Sequence, residues 1–199
     1  MVPPGGAGGS PRTPWAIGGD HSAAPALAGI PAGMLSPTYK VFAVTLPFET
    51  VAYVDADAIF CAPAPELWEV EAGKWNVVQD RAAALARTIP TIMAAEFARQ
   101  FPGVGEKKGF NSGVFALRPA DWRDLPEEYE RVFAAGGYRA YHPMFDQALL
   151  NAMIQPRVRW LPFAFNVHNL FDYDIPRDAR VIHYAGGACK AMGSALSAA

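Results

Sequence analysis

At 199 residues, 51% apolar and 18% charged, the chain has the length and hydrophobicity of one globular domain, and a net charge of −2 gives no reason to expect a nucleic acid partner. Its two cysteines, Cys61 and Cys189, fit no metal-ligand or redox spacing. No charged-then-apolar leader opens the chain, and the stretch AAPALAGIPAGML is too short for a membrane span and holds two prolines, so a soluble, cytoplasmic protein is the expectation.

Residues 1–37 hold seven of the 18 prolines and eight of the 18 glycines, with few large apolar side chains to offset the entropy of ordering. A disordered tail is expected over residues 1–36, a single domain over 37–191 and a flexible tail over 192–199. From Tyr39 onward, apolar runs of four to six residues alternate with helical patterns, the rhythm of an α/β layer structure. Strands are predicted at 51–55, 75–79, 110–117, 158–161 and 179–184. PEEYERVFAAGG reads as a helix opening at Pro126 and closing at Gly136, with Tyr129, Val132 and Phe133 on one face. PMFDQALLNAMI reads as another, starting at Pro143, and a third is expected around 91–101, followed by a loop at GVGEKKG.

The stretch VAYVDADAIF runs four apolar residues into two aspartates. A strand apolar at four consecutive positions reads as buried on both faces and central in a parallel sheet, and open α/β sheets bind ligands beyond the carboxyl ends of their strands. With the backbone extended there, Asp55 and Asp57 point to one side and Ala56 to the other, so both carboxylates can approach one hard cation. The plainer reading is two aspartates that end a strand and solvate a turn; a second triplet, Asp172-Tyr173-Asp174, has no apolar strand before it. His183 also sits where an apolar run gives way to glycines, in VIHYAGG, and could be a third ligand or a core histidine bonded to backbone. Imidazole added to two carboxylates suits manganese better than magnesium. His21, His142 and His168 have no comparable setting.

In FNSGVFAL, the polar Asn111 and Ser112 open an otherwise apolar strand, and Gly113 allows close approach of a ligand or a neighbouring backbone. In FDQALLN, Asp146 falls in the first helical turn yet shares its face with Leu149, Leu150 and Met153. A carboxylate on that side needs a partner, which can be the helix N-terminus in a capping role or a ligand hydroxyl.

The order of VAYVDADAIF, FNSGVFALRP, FDQALLNAMI, LPFAFN and VIHYAGGACK, across about residues 39–190, resembles the glycogenin-like retaining glycosyltransferases of family eight, which include galactinol synthases. The resemblance implies a nucleotide-diphospho-sugar transferase fold, Rossmann-like with a mostly parallel sheet between helices. It also implies transfer of a hexose from UDP-hexose to a sugar, polyol or protein hydroxyl. By resemblance, Asp55 and Asp57 form the DxD metal motif and His183 is the third protein ligand to manganese. Asp55 and Ala56 lie along the donor nucleotide, with Asp55 near the ribose. Gly186 and Lys190 cover the diphosphate. Asn111, Ser112, Asp146 and Gln147 line the donor sugar, with Asp146 and Gln147 at the reacting centre. Lys40 stands where family members carry a basic residue just before this strand.

The chain departs from the pattern in two places. Lys190 lies seven residues after His183 and is followed by Ala191-Met192, whereas glycogenins typically place the lysine six residues on, before Pro-Trp; galactinol synthases have the wider spacing. Family members also place several strands and helices before the metal triplet to build the uridine pocket. Here about 54 residues precede Asp55, most of them in the Pro/Gly-rich tail, so a domain truncated at its N-terminus is expected. Two functional classes stay open: an active metal-dependent hexosyltransferase, or a non-catalytic remnant that binds a partner subunit. A homo-oligomer is compatible with either.

Overall fold

The computed structural model describes residues 39–80, 94–136, 145–168 and 175–184. The two expected tails, the helix start at Pro143, the triplet at 172–174, His21, His142, Gly186 and Lys190 lie outside those residues. A 3-10 turn, Tyr39–Thr45, precedes strand β1 (Val51–Val54), β2 (Ala58–Phe60), a single-turn helix α1 (Pro65–Trp68) and β3 (Trp75–Gln79). Then come α2 (Ala94–Gln100), β4 (Phe110–Leu117), α3 (Leu125–Gly136), α4 (Phe145–Ile154), β5 (Val158–Leu161), β6 (Val167–His168) and β7 (Val181–His183). The predicted strands at 75–79, 110–117 and 158–161 match β3, β4 and β5 end to end. The expected helix from Pro126 to Gly136 appears as α3, with Tyr129, Val132 and Phe133 buried. The expected loop GVGEKKG contains a 3-10 turn, Val104–Glu106.

Among the described residues the strands form two sheets, ordered β1-β4-β3-β5 and β2-β7-β6. The expected mostly parallel sheet is corrected to a mixed one. β4 runs antiparallel to both β1 and β3, and β7 antiparallel to β2, while β3–β5 and β6–β7 are parallel. An apolar run reports that both faces of a strand are covered and says nothing of its direction, which the connections set.

The central position expected for the Val51 strand belongs instead to β4, all eight of whose residues are buried. β1 lies at the edge among the described strands, and only Val51 in it is fully buried. Both its faces are nonetheless apolar because each meets a different core. Val51 and Tyr53 face one cluster, built on Trp75, Phe115, Leu117 and the apolar faces of α3 and α4. Ala52 and Val54 face a second, built on Leu67, Val78, Val114, Ala116 and Val181. In the first cluster Phe115 stacks on Trp75 and Tyr53 with ring centroids 4.5 and 4.9 Å apart. Burying one such aromatic contributes on the order of 2–3 kcal/mol.

Helix α4 is fastened to the start of β4 by Asn151, which is fully buried. Its Oδ1 accepts from Phe110 N at 2.7 Å and its Nδ2 donates to Phe110 O at 2.8 Å. Asn151→Ala therefore orphans a backbone donor and a backbone acceptor, at about 1–3 kcal/mol each. Denaturant unfolding is expected to show a loss of a few kcal/mol; a change of a few tenths would mean that water replaces both bonds.

Candidate metal and donor site

The site forms where the chain leaves one sheet for the other. Asp55 N donates to Gly113 O at 2.8 Å, which extends the β1–β4 ladder by one residue. The chain then turns, closed by Ala58 N donating to Asp55 O at 3.0 Å, and enters β2, where Ala58 pairs with His183 of β7. Tyr184 N donates to Asp57 O at 2.9 Å and locks this junction. The extended backbone expected through Asp57 is thus replaced by a turn. The two carboxylates still converge, because the turn carries Asp57 to the same side that the ladder gives Asp55.

Asp55, Asp57 and His183 each offer a ligand atom within 4.8 Å of the others. His183 Nε2 lies 3.1 Å from Asp57 Oδ1 and 3.6 Å from Asp55 Oδ2. Burial pulls the imidazole below its ordinary pKa and outweighs the opposing pull of Asp57 and Asp55. A neutral ring keeps a lone pair for a cation. Position 113 makes the convergence possible: a Cβ there would lie 2.1 Å from His183 Cε1 and 2.7 Å from Asp55 Oδ2.

Behind the triad lies a buried charge cluster. Lys40, from the 3-10 turn, is 8% exposed and reaches Asp146 Oδ2 at 3.1 Å and Asp55 Oδ2 at 3.4 Å. Burial opposes its charge, but Asp146 and Asp55 together more than offset this and raise its pKa above the ordinary lysine value. It therefore stays protonated. Tyr53 donates its hydroxyl to Asp55 Oδ1 at 2.7 Å, and burial followed by the Asp55 charge pushes its pKa up, so it remains a donor. Among the described residues the carboxylates of Asp55, Asp57 and Asp146 gather here, and this one ammonium contacts Asp55 and Asp146. The excess negative charge and the mixed oxygen and nitrogen donors fit a divalent metal.

The residues expected along the donor sugar are also brought together. Ser112 Oγ donates to Asp146 Oδ2 at 3.0 Å and accepts from Lys40 Nζ at 3.0 Å. Gln147 Oε1 accepts from Asn111 Nδ2 and from Ser112 N, both at 3.1 Å, while its Nε2 donates to Asp80 Oδ2 at 2.8 Å. Ala56 sits in the turn between the two aspartates. Four buried or half-buried polar groups, Tyr53, Asp80, Asn151 and Asn166, join this network although no sequence signal assigned them a role. His168, which had no distinctive setting in the sequence, packs its ring edge-on against His183 with centroids 5.5 Å apart.

Mixed α/β layers thus bring a carboxylate pair and a histidine together where two sheets meet. The family model for glycosyl transferase family 8 matches residues 39–191, and the chain belongs to that family. Solved structures share the fold. Galactosyltransferase LgtC, in complex with donor and acceptor sugar analogs, superposes with a TM-score of 0.61 at 18% identity, over 86% of this chain and 69% of that one. The bifunctional glycosyltransferase WbbM gives 0.55 at 20% identity, over 76% and 31%. Mouse xyloside xylosyltransferase 1 gives 0.51 at 13% identity, over 75% and 62%. The chain thus spans about a third of WbbM and under two thirds of the mouse enzyme. No curated protein matches it in sequence. No helix among the described residues is long and apolar enough to cross a membrane.

Gly113→Ala tests the close approach. The new methyl group has to displace the His183 ring or Asp55, so affinity for a divalent cation measured by calorimetry is expected to fall about 10–100-fold, the range seen when a ligand's support is disturbed. Unchanged affinity in a folded variant would mean that the triad does not hold the ion in this arrangement.

Proposed function

We propose that this chain carries the metal and donor-sugar site of a retaining transferase that moves a hexose from UDP-hexose to an acceptor hydroxyl with manganese as cofactor. The observation that carries this reading is the convergence of Asp55, Asp57 and His183 on one point, joined through Lys40 to the carboxylate of Asp146. Family 8 membership supports a nucleotide-sugar donor. LgtC, solved with donor and acceptor sugar analogs, supports a fold that can seat both sugars.

When bound, a divalent cation at the triad supplies Lewis-acid stabilisation of the charge on a departing nucleoside diphosphate. The chain's own residues do the rest by position. Asp55 and Asp57 would hold the cation through their carboxylates, and His183 through a ring nitrogen. Asp146 takes Ser112 and Lys40 through Oδ2, and Oδ1 engages no partner among the described residues, which leaves it to accept from a sugar hydroxyl. Lys40 ties Asp146 to Asp55 and so fixes the distance between the sugar contact and the metal contact. Gln147, Asn111 and Ser112 form the wall that keeps Asp146 in place. Positioning of this kind is worth several orders of magnitude in rate. Gly186 and Lys190 close over the diphosphate in the same proposal.

The test combines calorimetry of manganese and UDP with turnover of several UDP-hexoses. Asp57→Ala and His183→Ala are each expected to abolish the manganese-dependent part of UDP affinity. Asp146→Asn is expected to keep UDP affinity while sugar release falls about 100-fold. Loss of UDP binding in a folded Asp146→Asn variant would make that carboxylate part of the nucleotide pocket and sink its assignment to the sugar.

A further inference from the structure

We infer that Asn166 is a positioning residue whose side-chain oxygen holds the His183 ring with Nδ1 protonated, so that the bare Nε2 faces Asp55 and Asp57. The inference rests on the reading of those three residues as a metal site, but it is decided by a measurement on the metal-free protein.

The argument is one of hydrogen-bond direction. Heavy-atom positions alone leave the O and N of a side-chain amide interchangeable, and leave either nitrogen of a histidine free to carry the proton. Backbone N–H groups remove that freedom because they can only donate. Gly113 N lies 2.9 Å from Asn111 Oδ1, so this atom must be the oxygen. Ser112 N fixes Gln147 Oε1 in the same way at 3.1 Å, and the carboxylate of Asp80, which only accepts, takes Gln147 Nε2 at the far end. Asn111 Nδ2 then donates to Gln147 Oε1, as its own oxygen requires. Asn111 Oδ1 also meets the side chain of Asn166 at 3.0 Å, so Asn166 must present Nδ2 to it. The Oδ1 of Asn166 is thereby turned to His183 Nδ1 at 3.1 Å, and an oxygen acceptor there demands Nδ1–H.

A competing bond has to be weighed. With the proton on Nε2, His183 would donate to Asp57 Oδ1 at 3.1 Å. That arrangement sets a bare Nδ1 against Asn166 Oδ1, or turns Asn166 round and sets its oxygen against Asn111 Oδ1. Asn166 is fully buried and Asn111 is 7% exposed, so either choice leaves two facing acceptors without water, at about 1–3 kcal/mol each. The carboxylate of Asp57 has 27% of its side chain exposed and can take solvent in place of the ring. The relay prevails, and Nε2 is held bare before any ion arrives. Metal-ligating histidines depend on such a partner at the other ring nitrogen for their orientation.

The experiment is a long-range proton–nitrogen NMR spectrum of the full chain labelled with 15N-histidine, metal-free and at mildly alkaline pH, beside manganese calorimetry. The wild-type His183 is expected to show a protonated Nδ1 and a bare Nε2. Asn166→Leu, with its fold checked by circular dichroism, is expected to move the proton to Nε2 and to weaken manganese binding about 10–100-fold. Asn166→Asp, which keeps an acceptor for Nδ1, is expected to keep that nitrogen protonated. A wild-type spectrum with the proton on Nε2 overturns the inference without any variant having to fold. So does an Asn166→Leu protein that retains both Nδ1–H and wild-type affinity. Absence of manganese binding by the wild type overturns the metal reading instead, and the wild-type spectrum still decides the direction of the relay.

Discussion

The site depends on one close approach, at Gly113. Asp55 belongs to the end of one sheet and His183 to the other, and the two sheets can bring these residues together only if the strand between them lacks a side chain at the crossing point. Interiors pack at the density of organic crystals, so an atom 2.1 Å from an imidazole carbon cannot be absorbed by small adjustments. The glycine lies mid-strand in β4, where it forgoes the packing of a side chain and so weakens the strand. What offsets this is the ladder around it: the bond from Asp55 N to Gly113 O keeps β1 in register on β4 up to Asp55. The same residue thus fixes both the meeting of the sheets and the geometry of the triad.

Lys40 solves the electrostatic problem that this meeting creates. The two carboxylates it joins are Asp146, which is buried, and Asp55, which is half-buried, and a buried carboxylate left unpaired costs several kcal/mol. One ammonium shared between them stabilises both without cancelling the charge of the whole site, since Asp57 remains outside its reach among the described contacts. With three carboxylates against one ammonium among the described residues, the site keeps an excess of negative charge that can attract a divalent ion. The arrangement therefore holds the fold together while keeping a deficit of positive charge that a ligand can fill.

Strands bounded by turn residues and running through a core were legible in the sequence, which is why β3, β4 and β5 match their predicted ends. β2 and β6, at three and two residues, are too short to show a period. Strand direction and strand neighbours were not legible either, because a two-faced apolar run such as VAYV is produced equally by a central strand and by an edge strand with a core on each side. In the site, Asp55, Asp57 and His183 stood out because carboxylates and imidazole followed apolar runs, and Asn111 and Ser112 because they interrupted one. Asp80, Tyr53 and Asn166 gave no such signal. Each is a polar residue near the end of an apolar run or in a loop, where solvated polar residues are common, and only three-dimensional proximity shows that their partners are Gln147, Asp55 and Asn111. Asn166 even closes the quoted motif LPFAFN, but spacing cannot reveal which way its amide points.

The polar opening of β4 explains why α4 carries the sequence it does. Phe110, Asn111 and Ser112 lie in a strand buried on both faces, so each exposed donor or acceptor there must be met from outside the sheet. Asp146, Gln147 and Asn151 meet them from the helix, with Gln147 and Asn151 one turn apart on the same face. Gln147 spends its oxygen on Asn111 and Ser112 and its nitrogen on Asp80, while Asn151 spends both ends on β4 and on the carbonyl of Gln147. These two residues are occupied in joining helix to sheet. Asp146 differs: the protein engages one of its oxygens, and the other is without a partner among the described residues. A half-engaged carboxylate at 4% exposure is stabilised by a cation such as Lys40, and its second oxygen keeps capacity for a further hydrogen bond. The packing of α4 on β4 thus separates the contacts of its polar residues: Gln147 and Asn151 bind the strand backbone, and Asp146 meets the side chains of Ser112 and Lys40.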